Sequence, residues 1–441
     1  MFYDVAMNFV IGTILMVAGA VMVWIPNRVF TMILRASILF LFVNGATLFI
    51  RFIKNKKNKD FFFSILSIAF MFFLMNFRYI PQWILRVNFG GYCILCGTAC
   101  FIQLVIDMLS AGFIDRIGYR ASVILAHICA AAGIGMLTFL PEICPTPFMG
   151  ILISVMVYAV GGGLLEVLVS PIIEACPTDN KESAMSLLHS FYCWGCTGVV
   201  LISTIFFSIW GTENWKILAR LWVLLPVGNL ILFTKVPIYS LQEEGQKGMT
   251  FSELAREKVF WVLMIMMLCS GAAEQSVSQW ASTFAEEGLG ITKTLGDLVG
   301  PMSFSILMGL SRLLYGKYGE KMDLNRFMKY SLVLCVASYL CISLVPVPMV
   351  EMIGCAICGF SVGILWPGTF SKAAAALRRG GTVLFAMLAL AGDLGCSGGP
   401  TLVGFVSDMF GNNMRIGIFV AIIFPVVMLV SILAGTKRKS A

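Results

Sequence analysis

Charge is what this sequence has least of: only 12% of its 441 residues are Asp, Glu, Lys or Arg, and there are just 2 His. A soluble chain carries about 25% charged residues, so the polar skin that two or three soluble cores would need is missing. That shortage excludes a soluble enzyme, a nucleic-acid binder and a disordered chain. Also missing are a GxxxxGK[ST] phosphate loop, an HExxH or GxSxG motif and paired acids in a polar loop. Neither direct ATP coupling nor enzyme chemistry is therefore expected, and no cofactor or metal is called for. Cysteine is present in 14 copies, but the pairs Cys93/Cys96, Cys193/Cys196 and Cys355/Cys358 lie in apolar runs without flanking His or charge. Small residues at i and i+3 suit helix packing better than a metal or redox site.

Apolar side chains fill the gap. Hydrophobic residues make up 59% of the chain, with 35 Phe and 26 Met, and the mean hydropathy is +0.91. The solvent of such a chain is lipid. At about 20 residues per spanning helix, roughly 12 to 14 spans fit. Fourteen apolar runs predict helices near 5–25, 29–53, 61–77, 80–114, 121–140, 146–173, 184–210, 215–236, 259–284, 291–315, 327–345, 349–377, 382–410 and 415–435. The first has no Lys or Arg ahead of it and no small-residue cleavage site after it, so it reads as an uncleaved span. Lys and Arg concentrate in alternate connections, from Lys54, Lys56, Lys57 and Lys59 through Arg116 and Arg120 to Arg378, Arg379 and the tail at Lys437. By the positive-inside rule both termini are cytoplasmic in a multi-pass cell-membrane protein, and the net charge of +8 is a topology label.

A repeat of 200 residues organises the chain: Gly195-Cys196-Thr197-Gly198 returns as Gly395-Cys396-Ser397-Gly398, and Gly163-Leu164-Leu165 as Gly363-Ile364-Leu365. The hydropathy profile aligns at the same offset. This predicts an all-α fold of two pseudo-symmetric six-helix bundles, at residues 59–236 and 259–441, joined by a polar cytoplasmic linker at 237–258. A weaker repeat relates Ile33-Leu34-Arg35 to Ile84-Leu85-Arg86, so residues 1–58 are expected to form an extra transmembrane hairpin, giving about 14 helices in all.

After the fourth span comes Ala111-Gly112-Phe113-Ile114-Asp115-Arg116-Ile117-Gly118-Tyr119-Arg120. This resembles the G-x-L-x-D-R-x-G-R-R loop of the major facilitator superfamily, with Asp115, Arg116, Gly118 and Arg120 matching. Ala111, Phe113 and Tyr119 depart from it, and Arg312 to Gly319 looks like a degenerate second copy. The resemblance implies alternating access between the bundles. It also implies a gate in which Asp115 meets the start of the eleventh helix, near Gly380 to Thr382, with Asp107 bracing it.

Ionisable side chains at membrane depth cost about 2.5 to 3.5 kcal/mol and so point to function. Glu166 follows Gly161-Gly162-Gly163, with Pro171 placed to break the helix nearby; its 200-residue counterpart is Trp366. Glu274 and Gln275 begin a polar strip on one helix, Asp393 lies between glycines, and His189 sits beside Trp194. Glu166, His189, Trp194, Glu274, Gln275, Trp366 and Asp393 are the candidate substrate-binding residues, with Glu166, Glu274 and Asp393 as proton carriers. His127, Glu351 and Asp297 are expected to be structural. The function expected is secondary transport of a small organic solute, sugar-like by analogy, coupled to protons, by a monomer surrounded by membrane lipid and without nucleic acid. The alternatives are a multidrug or metabolite exporter and a non-transporting scaffold or sensor on the same fold.

Overall fold

The computed structural model describes residues 102–437 except 104, 107–108, 111, 115, 240, 242–247, 283–292 and 412. They fall within one compact unit, Cys100–Ala441; the other unit, Met1–Ala99, is outside the described residues, and with it the expected hairpin at 1–58 and the third predicted span.

Among the described residues every regular element is helical, as it must be where lipid leaves no partner for a free peptide group. The series opens with α1 (Tyr119–Leu137), α2 (Pro147–Ala175), α3 (Lys181–Trp210) and α4 (Trp215–Lys235). Local chemistry sets the starts. Thr146 accepts a hydrogen bond from the Met149 amide with Pro147 in the first turn of α2, and Asn180 accepts one from the Ser183 amide at α3. The linker then forms a turn, Phe251–Leu254, closed by a capping box between Thr250 and Glu253.

The second series comprises α5 (Lys258–Ser278), α6 (Lys293–Tyr318), α7 (Leu324–Leu344), α8 (Pro348–Val362), α9 (Leu365–Ala376), α10 (Gly381–Met409), α11 (Met414–Ala421) and α12 (Ile423–Lys437). Nine helical stretches among the described residues are long and apolar enough to cross a membrane, with α8 and α9 counted as one and α11 and α12 as another.

The 200-residue repeat is visible in the backbone. α3 begins at Lys181 and α10 at Gly381, and each is followed by a glycine in the left-handed region, Gly211 at φ 79° and Gly411 at φ 71°. One expectation is corrected: α2 runs unbroken through Pro171, and the interruption falls in the second series, between α8 and α9. Pro367 has no N–H to offer the carbonyl four residues back, which belongs to Gly363. The Arg312 Nε donates to that carbonyl instead, at 2.8 Å. Pro171 frees a carbonyl in the same way, but α2 stays helical there.

Within the second series α5 and α10 cross at small residues. A Cβ on Gly399 would lie 2.8 Å from the Ala272 Cα, and one on Gly395 would lie 2.9 Å from the Ala272 amide nitrogen. The buried core runs through α5, α6, α7, α8 and α10, with Phe304, Tyr315 and Tyr339 among its largest wholly buried side chains. α4, by contrast, leaves Leu221, Leu224, Leu225, Ile231 and Leu232 exposed, as a lipid-facing surface should.

Candidate functional site

The glycine run on α2 positions an acid. A Cβ on Gly161 would lie 2.7 Å from the Ala126 carbonyl oxygen and one on Gly163 would press on Ile106, so these two glycines admit neighbouring helices, while Gly162 faces open space. The close approach at Gly163 brings Gln103 beside Glu166. The Gln103 Nε2 donates to Glu166 Oε2 at 2.5 Å and to Asp393 Oδ2 of α10 at 3.2 Å. The Gln103 amide thus bridges one carboxyl group from each series. Two adjacent carboxylates repel, so the pair favours holding one proton between its two acids. Both are half-buried. On the preceding residue, Gly392, a Cβ would collide with the six-membered ring of the Trp366 indole, so Trp366 packs against α10 next to Asp393.

A second cluster surrounds Arg312, which is 2% exposed. Besides Gly363, its guanidinium donates to the His189 carbonyl at 3.0 Å, to Cys193 Sγ at 3.2 Å and to Glu274 Oε2 at 3.3 Å. Gln275, half-buried, is the next residue on α5. One cation thus joins α3 of the first series to α5 and the α8–α9 break of the second. His189 turns its Nε2 to Ser170 Oγ at 3.2 Å and stacks on Phe370, the ring centroids 5.8 Å apart. Trp194 packs on Gly309 of α6, where a Cβ would lie 3.2 Å from its indole.

The seven expected site residues therefore divide. Glu166, Asp393 and Trp366 come together; Glu274 joins His189 through Arg312, with Gln275 beside it on α5; Trp194 sits against α6. Gln103 and Arg312 were missed. Each carried a signal: Arg312 is a lone Arg between Ser311 and Leu313-Leu314 near the end of the apolar run 291–315, and Gln103 is the single amide in the run from 93 to 106.

Of the expected gate, Asp107 and Asp115 lie outside the described residues. Gly118 makes the tight turn at φ 84°, and Arg116 is exposed. Arg120 donates to the carbonyls of Phe233 and Val236 at 2.7 and 2.8 Å, so it caps the C-terminus of α4 within its own series. Among the described residues, a bond to the start of α10 comes from a residue that departs from the motif: Tyr119 Oη and Thr382 Oγ1 lie 2.7 Å apart. Nearby, the Tyr315 hydroxyl donates to Glu182 at 2.8 Å and the Ser186 hydroxyl to the Arg312 carbonyl at 2.7 Å. These contacts hold the two series together at the linker-facing ends of their helices.

Three residues expected to be structural differ in outcome. Glu351 is buried and paired with Arg415 at 2.5 Å, and His127 is buried edge-on to Phe233. The side chain of Asp297 is outside the described residues.

Two helix series related by one repeat, meeting around paired acids, define a two-bundle membrane transporter fold. The model of the major facilitator superfamily matches residues 61–400, and the chain belongs to that family. It is a non-enzymatic, multi-pass membrane protein. Among solved structures it is similar to the fucose:proton symporter FucP of E. coli, at 17% identity and TM-score 0.67, covering 82% of this chain and 96% of that one. It is also similar to the human organic anion transporter MFSD10, at 14% identity and TM-score 0.64, over 90% and 95%. The proton:xylose symporter XylE gives 14% identity and TM-score 0.63, over 91% and 95%. No curated protein sequence matches the chain.

Proposed function

We propose that the chain is a proton-coupled symporter of a small, hydroxyl-rich organic solute, working by alternating access between bundles at residues 59–236 and 259–441. The observation that carries this reading is the pair Glu166 and Asp393, one acid from each series, bridged by the Gln103 amide. A proton shared across the interface is released when the series part, which links rocking to proton exchange. Trp366 on Gly392 offers an apolar face for a sugar ring, and Gln103, Gln275 and the acids offer donors and acceptors. His189, Trp194 and the Arg312–Glu274 pair form the rest of the wall. Tyr119, Gly118, Arg116 and Arg120 belong to the gate, with Asp107 and Asp115 as further members. The basic connections support a cytoplasmic linker and termini, so the closed ends face the cytoplasm. The sugar symporters among the structural neighbours support the solute class by analogy.

The test is uptake by proteoliposomes of a panel of radiolabelled hexoses and pentoses, with and without an inward proton gradient. At least one solute should accumulate only with the gradient. Absence of flux across the whole panel overturns the solute class.

A further inference from the structure

Arg312 stands outside the acid pair, yet one of its bonds leads to Trp366. Its Nε donates to the Gly363 carbonyl at 2.8 Å, the carbonyl that Pro367 leaves without a backbone donor. Gly363 is buried and pressed onto α6 beside the arginine: a Cβ there would lie 2.8 Å from the Ser311 Cβ and 2.9 Å from the Met308 carbonyl oxygen. The chain re-enters a helix at once, with the Gly368 amide donating to the Ile364 carbonyl at 2.8 Å and α9 beginning at Leu365. Trp366 is therefore in the first turn of α9, three residues after the carbonyl that Arg312 holds. Where that carbonyl sits decides how α9 starts, and so where the indole meets Gly392.

The other donors of the guanidinium fix its own place. Its Nη1 donates to the His189 carbonyl and to Cys193 Sγ on α3, and its Nη2 to Glu274 on α5. A planar guanidinium serves all of these together with Gly363 because its donors project from three nitrogens. A lysine ammonium gathers its donors on a single atom. Set against Glu274, a lysine would leave the Gly363 carbonyl buried and unpaired, at the cost of desolvating it.

We propose that Arg312 is a positioning residue for the solute wall: through the Gly363 carbonyl it places Trp366 against α10 next to Asp393. The value of that placement to a solute rests on the transport reading above; the placement itself does not. The ion pair with Glu274 is a separate task of the same side chain and does not set the indole.

The test reads Trp366 in the purified full-length chain. There are 9 Trp, so the emission and acrylamide quenching of this one are taken as the difference between each protein and the same protein carrying Trp366→Phe. Arg312→Lys keeps a positive charge opposite Glu274, and it should shift the Trp366 emission to the red and raise its quenching as the indole leaves α10 and meets water. Glu274→Gln removes the ion pair but keeps the Nε bond, and it should leave both at their wild-type values. The proposal is overturned by an unmoved Trp366 signal in Arg312→Lys, or by equal shifts in Arg312→Lys and Glu274→Gln, the pattern of a side chain that only stabilises the fold. Should Arg312→Lys fail to fold, the charge-neutral combination of Arg312→Gln with Glu274→Gln takes its place, and an unmoved signal there overturns the proposal. No solute enters these measurements, so an uptake panel without flux overturns the transport reading and leaves the placement of Trp366 standing.

Discussion

Arg312 illustrates how much rests on one side chain. It is buried, it neutralises Glu274, and it replaces the backbone donor that Pro367 removes from Gly363. Arg312→Ala should therefore destabilise the fold by about 3 to 5 kcal/mol, the usual cost of stranding one member of a buried ion pair. Adding Glu274→Gln should recover part of that loss, because the stranded charge is then gone. Thermal unfolding of the two single variants and the double variant measures the coupling; strictly additive effects would show that the pair does not interact. Glu274 and Glu166 were both legible in the sequence, since an acid in an apolar run is conspicuous. Their partners were not, because pairing Glu274 with Arg312, or Glu166 with Gln103, depends on which helices touch.

Helix boundaries were the most legible feature, because apolar runs and the polar residues that cap them are local. The predicted run at 146–173 is α2 at Pro147–Ala175, and the predicted run at 382–410 is α10 at Gly381–Met409. The break at Gly363 was expected near Pro171 instead, since sequence shows where a proline sits but not whether the surroundings hold the helix together. The crossing of α5 and α10 gives a prediction at this scale. Gly395→Val would force a branched side chain into the α5 backbone, and we expect a loss of at least about 1 to 3 kcal/mol from overpacking, against little effect from Gly398→Ala, where nothing lies within 4 Å. Equal melting temperatures for the two variants would contradict the close crossing. The linker turn responds to pH. The Glu253 carboxyl is held below its usual range by the Thr250 amide and hydroxyl, so its contribution is complete above the unfolded-state value and disappears as pH falls through the folded one. Hydrogen exchange at 250–257 should therefore speed up relative to the α5 interior on acidification through the carboxylate range; a constant ratio would remove the capping box from the account.

At the scale of the molecule, the tandem repeat was legible because duplicated helices keep their spacing, as the starts of α3 and α10 at Lys181 and Gly381 demonstrate. The juxtaposition of Glu166 with Asp393 was not, since it arises only when the two series face each other. That juxtaposition is the centre of the proposal, in which proton movement and solute movement are one event. The direct measurement is the pH of a lightly buffered proteoliposome suspension when an accepted solute is added without any imposed gradient. The medium should become more alkaline with wild-type protein as protons enter with the solute, and should not with Glu166→Gln, even where that variant still exchanges solute across the bilayer. Solute entry by the wild type with no change in external pH, or undiminished alkalinisation in Glu166→Gln, would contradict the assignment.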